Sequence, residues 1–307
     1  MSKAKLAIAL STLIVAIVVW AVPSHGIAHQ RVQRHVQRMG GADVVAPIRL
    51  KDERERGLLA QGWINGAGPF VFVIDTGAGV SLVNRNVVEQ ARLQVMKSRR
   101  TLVGGLSTAP IASDEETRIS GMALGQLDNN VPGSFNAAVV ANLPGSIDGV
   151  LDPTEVFRPH GYSIDIPNRE LRVFDQRLSV TDVPKDGAVV RWVREAGSER
   201  PFVRLGDGRL ALIDTGSTLG FALNEPGRVN GSNHITTHDL GGGSVQSRRV
   251  APQTVNIGAL VLNKVPTDVL TGVASDTPII LGRGALFPFK ITFDPASRLI
   301  AFEPTEQ

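Results

Sequence analysis

The sequence predicts an all-β protein in which two similar units follow one another in a single chain. Two observations carry this prediction: the tripeptide Asp-Thr-Gly occurs twice, and the segments that accompany each copy repeat in the same order. The composition agrees, because 32 Gly and 18 Pro among 307 residues are typical of many short strands joined by tight turns. A chain of this length with 42% apolar residues is also expected to form about two domains.

Each Asp-Thr-Gly copy follows an apolar run that is typical of a buried strand. Residues 70–74 lead into Asp75, and residues 210–213 lead into Asp214. With ordinary residue usage a given tripeptide occurs at roughly 2 positions in 10,000, so two copies in similar contexts are expected in well under about 1% of chains this long. Two carboxylates delivered by similar strand–loop units indicate a pair that shares one proton, which is a device for acid–base hydrolysis.

The repeated segments predict an internal duplication of a unit of ~100 residues. Recurrence of ordinary strand-and-turn patterns would explain any one pair, but five pairs in register favour duplication. The paired segments are 75–77 with 214–216, 104–105 with 241–243, 124–132 with 257–266, 147–152 with 278–282, and 157–174 with 287–302.

Strands of four to eight residues are expected throughout both units, and helices should be short. The stretch 83–93 after the first tripeptide is such a helix candidate. Turn chemistry breaks the apolar runs at 65–66, 165–168, 206–208 and 294–297. The predicted division is an N-terminal lobe at 45–178 and a C-terminal lobe at 186–307. They are joined by a segment at 176–187, whose sequence is typical of a linker.

The N-terminus predicts export from the cytoplasm. Lys3 and Lys5 precede an apolar stretch that begins at Leu6 and ends at Val22. Its length is at the lower end of the range for a membrane-spanning helix and at the upper end for a signal-peptide core. Residues 1–28 are therefore expected to form an N-terminal hydrophobic helix that is either a cleaved signal peptide or a retained membrane anchor.

The expected location is the bacterial cell envelope, on the periplasmic side, with the protein anchored in the inner membrane or secreted to the periplasm. The basic segment 29–44 fits a solvated stalk beside the membrane, or a segment that binds anionic lipid. The chain has no cysteine, which excludes a disulfide scaffold. A net charge of +3 does not indicate a nucleic-acid partner.

With these motifs, the chain resembles a tandem member of the aspartic peptidase superfamily. Asp-Thr-Gly-Ala at 75–78 resembles the retropepsin form of the motif, and Asp-Thr-Gly-Ser at 214–217 resembles the pepsin form. Residues 280–302 are similar to the closing strand–helix–strand segment of such lobes. The resemblance covers about residues 45–307. It implies two similar retropepsin- and pepsin-like acid-protease lobes in one chain, with a catalytic cleft between them.

The resemblance assigns the catalytic dyad to Asp75 and Asp214. It implies that the hydroxyls of Thr76 and Thr215 bond across to the opposite loop and lock the two strands together. Gly77 and Gly216 lack a Cβ and so allow the loops to approach closely.

The residue after each tripeptide differs between the two loops. Ser217 can donate a further hydrogen bond to Asp214, whereas Ala78 cannot do the same for Asp75. Hydrogen bonds to a carboxylate favour its charged form, so Asp75 is expected to carry the shared proton.

Glycine-rich segments mark the expected flaps over the substrate. The flap and substrate-binding candidates are Gly104, Gly105, Gly241, Gly242 and Gly243. Two features depart from the family pattern. Asp152 stands where the family usually has Gly, which puts a carboxylate behind the first catalytic loop. The single tyrosine, Tyr162, lies far from either flap candidate, so the flap tyrosine of pepsins is missing.

The expected activity is that of an aspartic endopeptidase that needs no cofactor and acts, as a monomer, on a polypeptide in extended conformation. A peptide-binding module that keeps the duplicated fold but cleaves poorly is the alternative. A lobe pair that processes only itself is a third reading. A metal site at His234 and His238 is disfavoured, because the residues between them favour a strand that separates the two rings by about 13 Å. The mixed-charge run 51–56 is expected to be a solvated strand edge or turn.

Overall fold

A computed structural model describes residues 43–103, 105–106, 111–195, 198–224, 234–238 and 244–305. Residues 42–307 group into one compact unit. The predicted N-terminal helix and most of the basic segment lie outside the described residues. Within the described part of the chain, no helix has the length and apolar character needed to cross a membrane.

Strands dominate the structure, which confirms the all-β prediction. The strands of the first part of the chain are β1 (Ile48–Arg49), β2 (Lys51–Glu53), β3 (Gly57–Ile64), β4 (Ala67–Ile74), β5 (Ser81–Asn84), β6 (Val95–Val103), β7 (Ile111–Ile119), β8 (Met122–Leu124), β9 (Phe135–Val140), β10 (Gly149–Leu151), β11 (Gly161–Asp165) and β12 (Glu170–Phe174). Those of the second part are β13 (Ala188–Arg191), β14 (Phe202–Arg204), β15 (Leu210–Asp214), β16 (Phe221–Asn224), β17 (His234–His238), β18 (Ser244–Ile257), β19 (Leu260–Thr271), β20 (Ile279–Gly282), β21 (Phe289–Asp294) and β22 (Leu299–Pro304).

Helices in the described residues are all short, as the sequence predicts. They are α1 (Arg85–Gln90), α2 (Pro153–Val156) and α3 (Arg283–Leu286). The helix expected at 83–93 is therefore shorter than its sequence pattern, because residues 81–84 are recruited into β5 instead.

The strands form three sheets, and two of them repeat one topology. The first sheet has nine strands and contains the path β3-β4-β10-β5-β9-β7-β6. The second sheet has seven strands in the order β14-β15-β20-β16-β19-β18-β17. Pairing directions also match, since β10 runs parallel to β4 and antiparallel to β5, as β20 does with β15 and β16. Within the described residues, the repeated segments 147–152 and 278–282 therefore contain equivalent strands, β10 and β20.

A third sheet, called here the shared sheet, joins strands from both parts of the chain in the order β1-β12-β11-β21-β22-β13. At its centre β11 pairs antiparallel with β21, so that Ile164 lies opposite Ile291. The hairpins β11–β12 and β21–β22 turn at equivalent places, where Arg169 and Arg298 both adopt positive φ. The predicted turns at 165–168 and 294–297 are confirmed by these hairpins.

Local sequence accounts for other turns and strands. Asn65 and Gly66 both adopt positive φ and connect β3 to β4 in a two-residue hairpin, the conformation this dipeptide favours. His234–His238 forms β17, which confirms the strand predicted there. The run 51–56 forms β2 and a turn, as predicted.

The largest apolar cluster includes buried residues from all three sheets. Two smaller clusters lie beside the Asp-Thr-Gly loops. In the first, Ala78 and Val80 pack against buried residues of the first sheet. In the second, Leu106, from the segment between β6 and β7, packs against a cluster in the second sheet that contains Leu219 and Ile280. The hairpin of the first sheet therefore reaches the second sheet.

Candidate active site

The two Asp-Thr-Gly loops leave their sheets at equivalent points. Asp75 follows β4 and its backbone N–H donates to the carbonyl of Leu151, at the end of β10, at 3.0 Å. Asp214 ends β15 and pairs with Gly282 at the end of β20. In each sheet, the strand before the loop and its parallel neighbour end at the same edge. Each loop therefore begins beside the residue that precedes a short helix, which is Asp152 before α2 and Gly282 before α3.

Hydrogen bonds between Thr76 and Thr215 join the two loops. Each threonine backbone N–H donates to the hydroxyl of the other at 3.1 Å. The Thr76 hydroxyl donates to the carbonyl of Ile213 at 2.7 Å, and the Thr215 hydroxyl donates to the carbonyl of Ile74 at 3.0 Å. Both threonines are fully buried. The cross-bonds that the family resemblance implies are thus present, and each hydroxyl serves as donor and acceptor at once.

Gly77 and Gly216 bring each loop against the carboxyl group of the other. A Cβ on Gly77 would lie 2.6 Å from Cγ of Asp214, and a Cβ on Gly216 would lie 2.4 Å from Cγ of Asp75. Real Cβ atoms do not approach other atoms so closely, so any other residue at these positions would push the loops apart. The two carboxyl groups are thereby held next to each other, and each residue keeps only 9% of its surface exposed.

The environment of the pair favours one shared proton. Burial raises the pKa of Asp75 well above its ordinary value, and the negative charges of Asp214 and Asp152 raise it further. The opposing influence is the N–H of Gly77, which donates to Asp75 Oδ1 at 2.8 Å. Two carboxylates in contact disfavour each other's ionised form, so this geometry favours a single proton held between them.

Asp214 is the better stabilised anion of the two. Burial raises its pKa, but the backbone N–H groups of Ser217 and Gly216, the hydrogen bond with Asp75 and the charge of Arg200 all lower it. The direction agrees with the expectation that Asp75 carries the proton. The expected cause is wrong, however: the Ser217 contact is its backbone N–H, 2.9 Å from Asp214 Oδ1, while its hydroxyl accepts from Leu219 N at 3.3 Å.

Asp152 caps a helix directly behind the first loop. It is 2% exposed, and its Oδ1 accepts from the backbone N–H of Thr154 at 2.9 Å at the start of α2. The Thr154 hydroxyl lies 2.9 Å from the Tyr162 hydroxyl, and Tyr162 stacks on Phe293 in the shared sheet. Burial raises the pKa of Asp152 to about 7. Asp152, which the sequence comparison marks as standing in place of a glycine, is thus the buried N-cap of α2.

The second loop caps its helix in another way. The backbone N–H groups of Arg283 and Gly284 donate to the carbonyls of Ser217 and Leu219 at 2.9 and 3.0 Å. A Cβ on Gly282 would lie 2.4 Å from the Leu219 carbonyl oxygen, so no side chain fits there.

Loop length explains this difference. Leu82, seven residues after Asp75, and Ala222, eight residues after Asp214, occupy equivalent register positions. The second loop is therefore one residue longer and can reach over its helix. The shorter first loop leaves the helix end open, and the Asp152 side chain supplies the acceptor instead.

Arg283 links the second loop region to the first sheet. It is 6% exposed and forms an ion pair with Asp52 of β2. Its Nη2 also donates to the carbonyls of Glu53 and Arg54 at 3.3 and 3.1 Å. Burial lowers the pKa of Arg283, while the charges of Asp52, Asp214 and Asp75 oppose that change. The sequence signals only a solvated run at 51–56, so this interior contact was not predicted.

Only part of the expected flaps falls within the described residues. Gly105 is exposed and lies between the antiparallel strands β6 and β7. Gly104, Gly241, Gly242 and Gly243 lie outside the described residues. The strands that flank the second glycine segment, β17 and β18, pair antiparallel up to His238 and Ser244. The described part of the chain contains no group of three or more His, Cys, Asp or Glu residues that could hold a metal ion.

Comparison with known proteins connects this geometry to a family. Residues 60–151 match a protein family described as aspartyl protease. This stretch is similar to aspartyl proteases. The match runs from β3 to the end of β10 and includes the first Asp-Thr-Gly loop. It supports a place in the aspartic peptidase superfamily and, at the level of the family only, hydrolase activity. A search of curated proteins found no match. The second loop lies outside the match to the aspartyl protease family and is related to the first by the repeated topology.

Removal of the Thr76 hydroxyl should destabilise the fold. In Thr76→Val, the backbone N–H of Thr215 and the carbonyl of Ile213 both lose a buried partner. We expect a cost of about 1–3 kcal/mol for each unsatisfied group, measured as the free energy of unfolding in urea. Thr76→Ser is the matched control, because it keeps both hydrogen bonds and loses only a methyl group, worth about 1 kcal/mol. Equal stabilities of the two variants would contradict the cross-link.

Stability should depend on pH through Asp152. Because the folded state raises the pKa of this group to about 7, from a usual value of 3.8, the folded protein holds a proton that the unfolded chain releases in this interval. Stability is therefore lost as pH rises from about 4 to about 7. Asp152→Asn keeps an oxygen for the Thr154 cap but has no charge to bury.

Thermal unfolding checks this prediction. We expect the stability of Asp152→Asn relative to wild type to increase by a few kcal/mol between about pH 4.5 and pH 8. Asp128→Asn at an exposed position should show no such change. A pH-independent difference between Asp152→Asn and wild type would show that folding does not change the pKa of Asp152.

Proposed function

We propose that the protein is an aspartic endopeptidase in which Asp75 and Asp214 share one proton and activate water against a peptide bond. The observation that carries the proposal is the mutual packing of the two loops. The glycine of each loop lies against the carboxyl group of the other, and reciprocal threonine hydrogen bonds hold them there. The match of residues 60–151 to aspartyl proteases supports the same chemistry.

The proposed mechanism assigns different roles to the two carboxyl groups. Asp214 is ionised and takes a proton from the bound water as the water oxygen attacks the peptide carbonyl carbon. Asp75 is protonated and donates a hydrogen bond to the carbonyl oxygen, which stabilises the charge that develops there. Transfer of the Asp75 proton to that oxygen gives a diol. As the diol collapses, the carbon–nitrogen bond breaks, Asp214 gives its proton to the leaving amine, and one diol hydroxyl returns a proton to Asp75.

The environment of each group supports these roles. Burial and the neighbouring charges of Asp214 and Asp152 raise the pKa of Asp75, against the smaller opposing effect of the Gly77 N–H, so Asp75 is the proposed carrier of the proton. Asp214 accepts from the backbone N–H of Ser217 and has the positive charge of Arg200 nearby, so its anion is stabilised. The pair therefore supplies a base and an acid at the same pH, whereas two separate aspartates in water would both be ionised near neutral pH.

The proposal includes two lobes and a cleft. The first sheet would form the N-terminal lobe, with residues 45–178, and the second sheet the C-terminal lobe, with residues 186–307. An extended polypeptide would lie between them, over the dyad. The contact of Leu106 with the second sheet supports a flap function for the β6–β7 hairpin, because it brings the connection between these strands to the cluster that contains Leu219, five residues after Asp214. The glycines at 104–105 and 241–243 would form the flap tips.

We also propose that the enzyme acts in the bacterial cell envelope, on the periplasmic side, either anchored in the inner membrane or secreted. The charged and then apolar N-terminal sequence supports this, since Lys3 and Lys5 precede the stretch from Leu6 to Val22.

Replacement of either dyad residue should abolish cleavage. Asp75→Asn or Asp214→Asn leaves one carboxyl group, which cannot be base and acid in the same step. We expect a loss of at least about 100-fold in kcat/KM for a library of extended peptides. Asp128→Asn serves as the control, because that residue is exposed and lies on a turn beyond β8.

Two outcomes would redirect the assignment. Near-normal turnover in either variant would rule out the shared-proton dyad. A wild-type protein that binds peptides at this site and cleaves none of them would instead support the peptide-binding module that keeps the duplicated fold.

Activity should not require dimerisation, because one chain supplies both aspartates. We expect the specific activity to stay constant over a wide range of protein dilution, measured with a saturating peptide. A steep loss on dilution would show that the active site forms between two chains.

A further inference from the structure

Arg200 lies beside both catalytic loops, immediately before Pro201 and β14. Its side-chain stem runs along Gly79, four residues after Asp75: a Cβ on Gly79 would lie 3.2 Å from both Cγ and Cδ of Arg200. The same residue is close enough to Asp214 to lower the pKa of that group, against the larger effect of burial. Arg200 therefore spans the junction of the two loops.

The side chain of Arg200 is held in place along its length. Its Cζ lies 5.4 Å from the ring centroid of Phe202, the geometry of a cation–π contact. Its Nε donates to the Ser198 hydroxyl at 3.2 Å, and the backbone carbonyl of Arg200 accepts from Trp192 Nε1 at 3.0 Å. Gly79 also matters here, because a side chain at that position would displace the arginine stem. The guanidinium is thus ordered before any ligand arrives.

The end of this guanidinium has no partner within the described residues. No carboxylate there forms an ion pair with Arg200, and neither of its Nη atoms donates a hydrogen bond to the described chain. Other arginines are paired, as exposed Arg194 is with Glu199 and buried Arg283 is with Asp52. An ordered guanidinium with two free nitrogens presents parallel donors that match the two oxygens of a carboxylate.

We propose that Arg200 binds a carboxylate of the peptide substrate close to the scissile bond, and so directs the enzyme to acidic substrates. This inference rests on the proposed function, since it assigns the substrate class of the same site. The carboxylate belongs to an Asp or Glu side chain or to the C-terminus of the peptide, which present the same chemistry to the guanidinium.

The test compares matched peptides on the purified full chain. Each pair differs only by Glu or Gln at one of about three positions on either side of the scissile bond, and each peptide is made with a C-terminal acid and with a C-terminal amide. We expect Glu to exceed Gln in kcat/KM on the order of 10- to 100-fold at one position. A preference for the C-terminal acid instead would identify the peptide terminus as the ligand.

Variants assign the preference to Arg200. Arg200→Gln should reduce the Glu/Gln ratio to about one, and Arg200→Lys, which keeps the charge but not the paired donors, should give an intermediate ratio. Arg194→Gln is the matched control, because that arginine lies on the same segment and is already paired with Glu199. It should leave the ratio unchanged. Cleavage of the Gln peptides by Arg200→Gln over a pH series measures the separate influence of Arg200 on Asp214.

The outcomes separate this inference from the proposed function. Cleavage with no preference for a carboxylate, or a ratio that survives in Arg200→Gln while only the pH profile moves, overturns the inference and leaves the function intact. If wild type cleaves nothing, equilibrium binding of the same peptides decides. Glu-selective binding lost in Arg200→Gln supports the inference and overturns the endopeptidase, whereas the absence of such selectivity overturns both.

Discussion

The reciprocal hydrogen bonds between Thr76 and Thr215 are the constraint on which the rest of the site depends. Each hydroxyl accepts from the backbone N–H of the opposite threonine and donates to the carbonyl two residues before that threonine, so neither loop satisfies its buried groups alone. This requires the two loops to meet at one distance and one orientation. Three features position the loops for this contact: the glycine after each threonine, the parallel strands β10 and β20, and the helices α2 and α3 that follow those strands. The paired carboxyl groups are its consequence.

The two topologically equivalent sheets support their loops by different means, and this makes the dyad asymmetric. On the first side, the buried carboxyl group of Asp152 caps the helix and, when ionised, raises the pKa of Asp75. On the second side, loop carbonyls cap the helix, and positive charge from Arg200 lies near Asp214. The asymmetry therefore originates in residues around the pair, Asp152 and Arg200, and in the second loop being one residue longer than the first. The two tripeptides themselves are identical in sequence.

Much of this arrangement could be predicted from sequence where the cause is local. Asn65 and Gly66 specify a hairpin turn through their own backbone preferences, and the apolar run before Asp75 specifies a buried strand. The order of the repeated segments anticipated that β10 and β20 would occupy equivalent positions. The hydrogen bonds between Thr76 and Thr215 could be predicted only from the family resemblance, because the tripeptide sequence alone does not indicate which residues it contacts.

Contacts that depend on distant parts of the chain could not be predicted. Asp52 belongs to a run of mixed charge whose pattern predicts a solvated segment, and its pairing with Arg283 exists only because folding brings these distant residues together. Arg200 carries no motif, and its relation to Gly79 appears only when the loops meet. Asp152 was recognised as a departure from the family pattern. Its role as a cap depends on the shorter first loop, which a comparison of spacings between the two repeats would have detected.

The shared sheet has a consequence for how the chain folds during synthesis. Its central pair, β11 with β21, joins strands from opposite parts of the sequence, and β13 pairs with the last strand. Such pairings are slow to form because the intervening chain must first be ordered. On the ribosome, β11 emerges long before β21. Until β21 is made, the edge of β11 has unpaired backbone groups and Tyr162 lacks the Phe293 ring on which it stacks. Between the synthesis of β11 and the release of the C-terminus, this edge is therefore open to pairing with other chains.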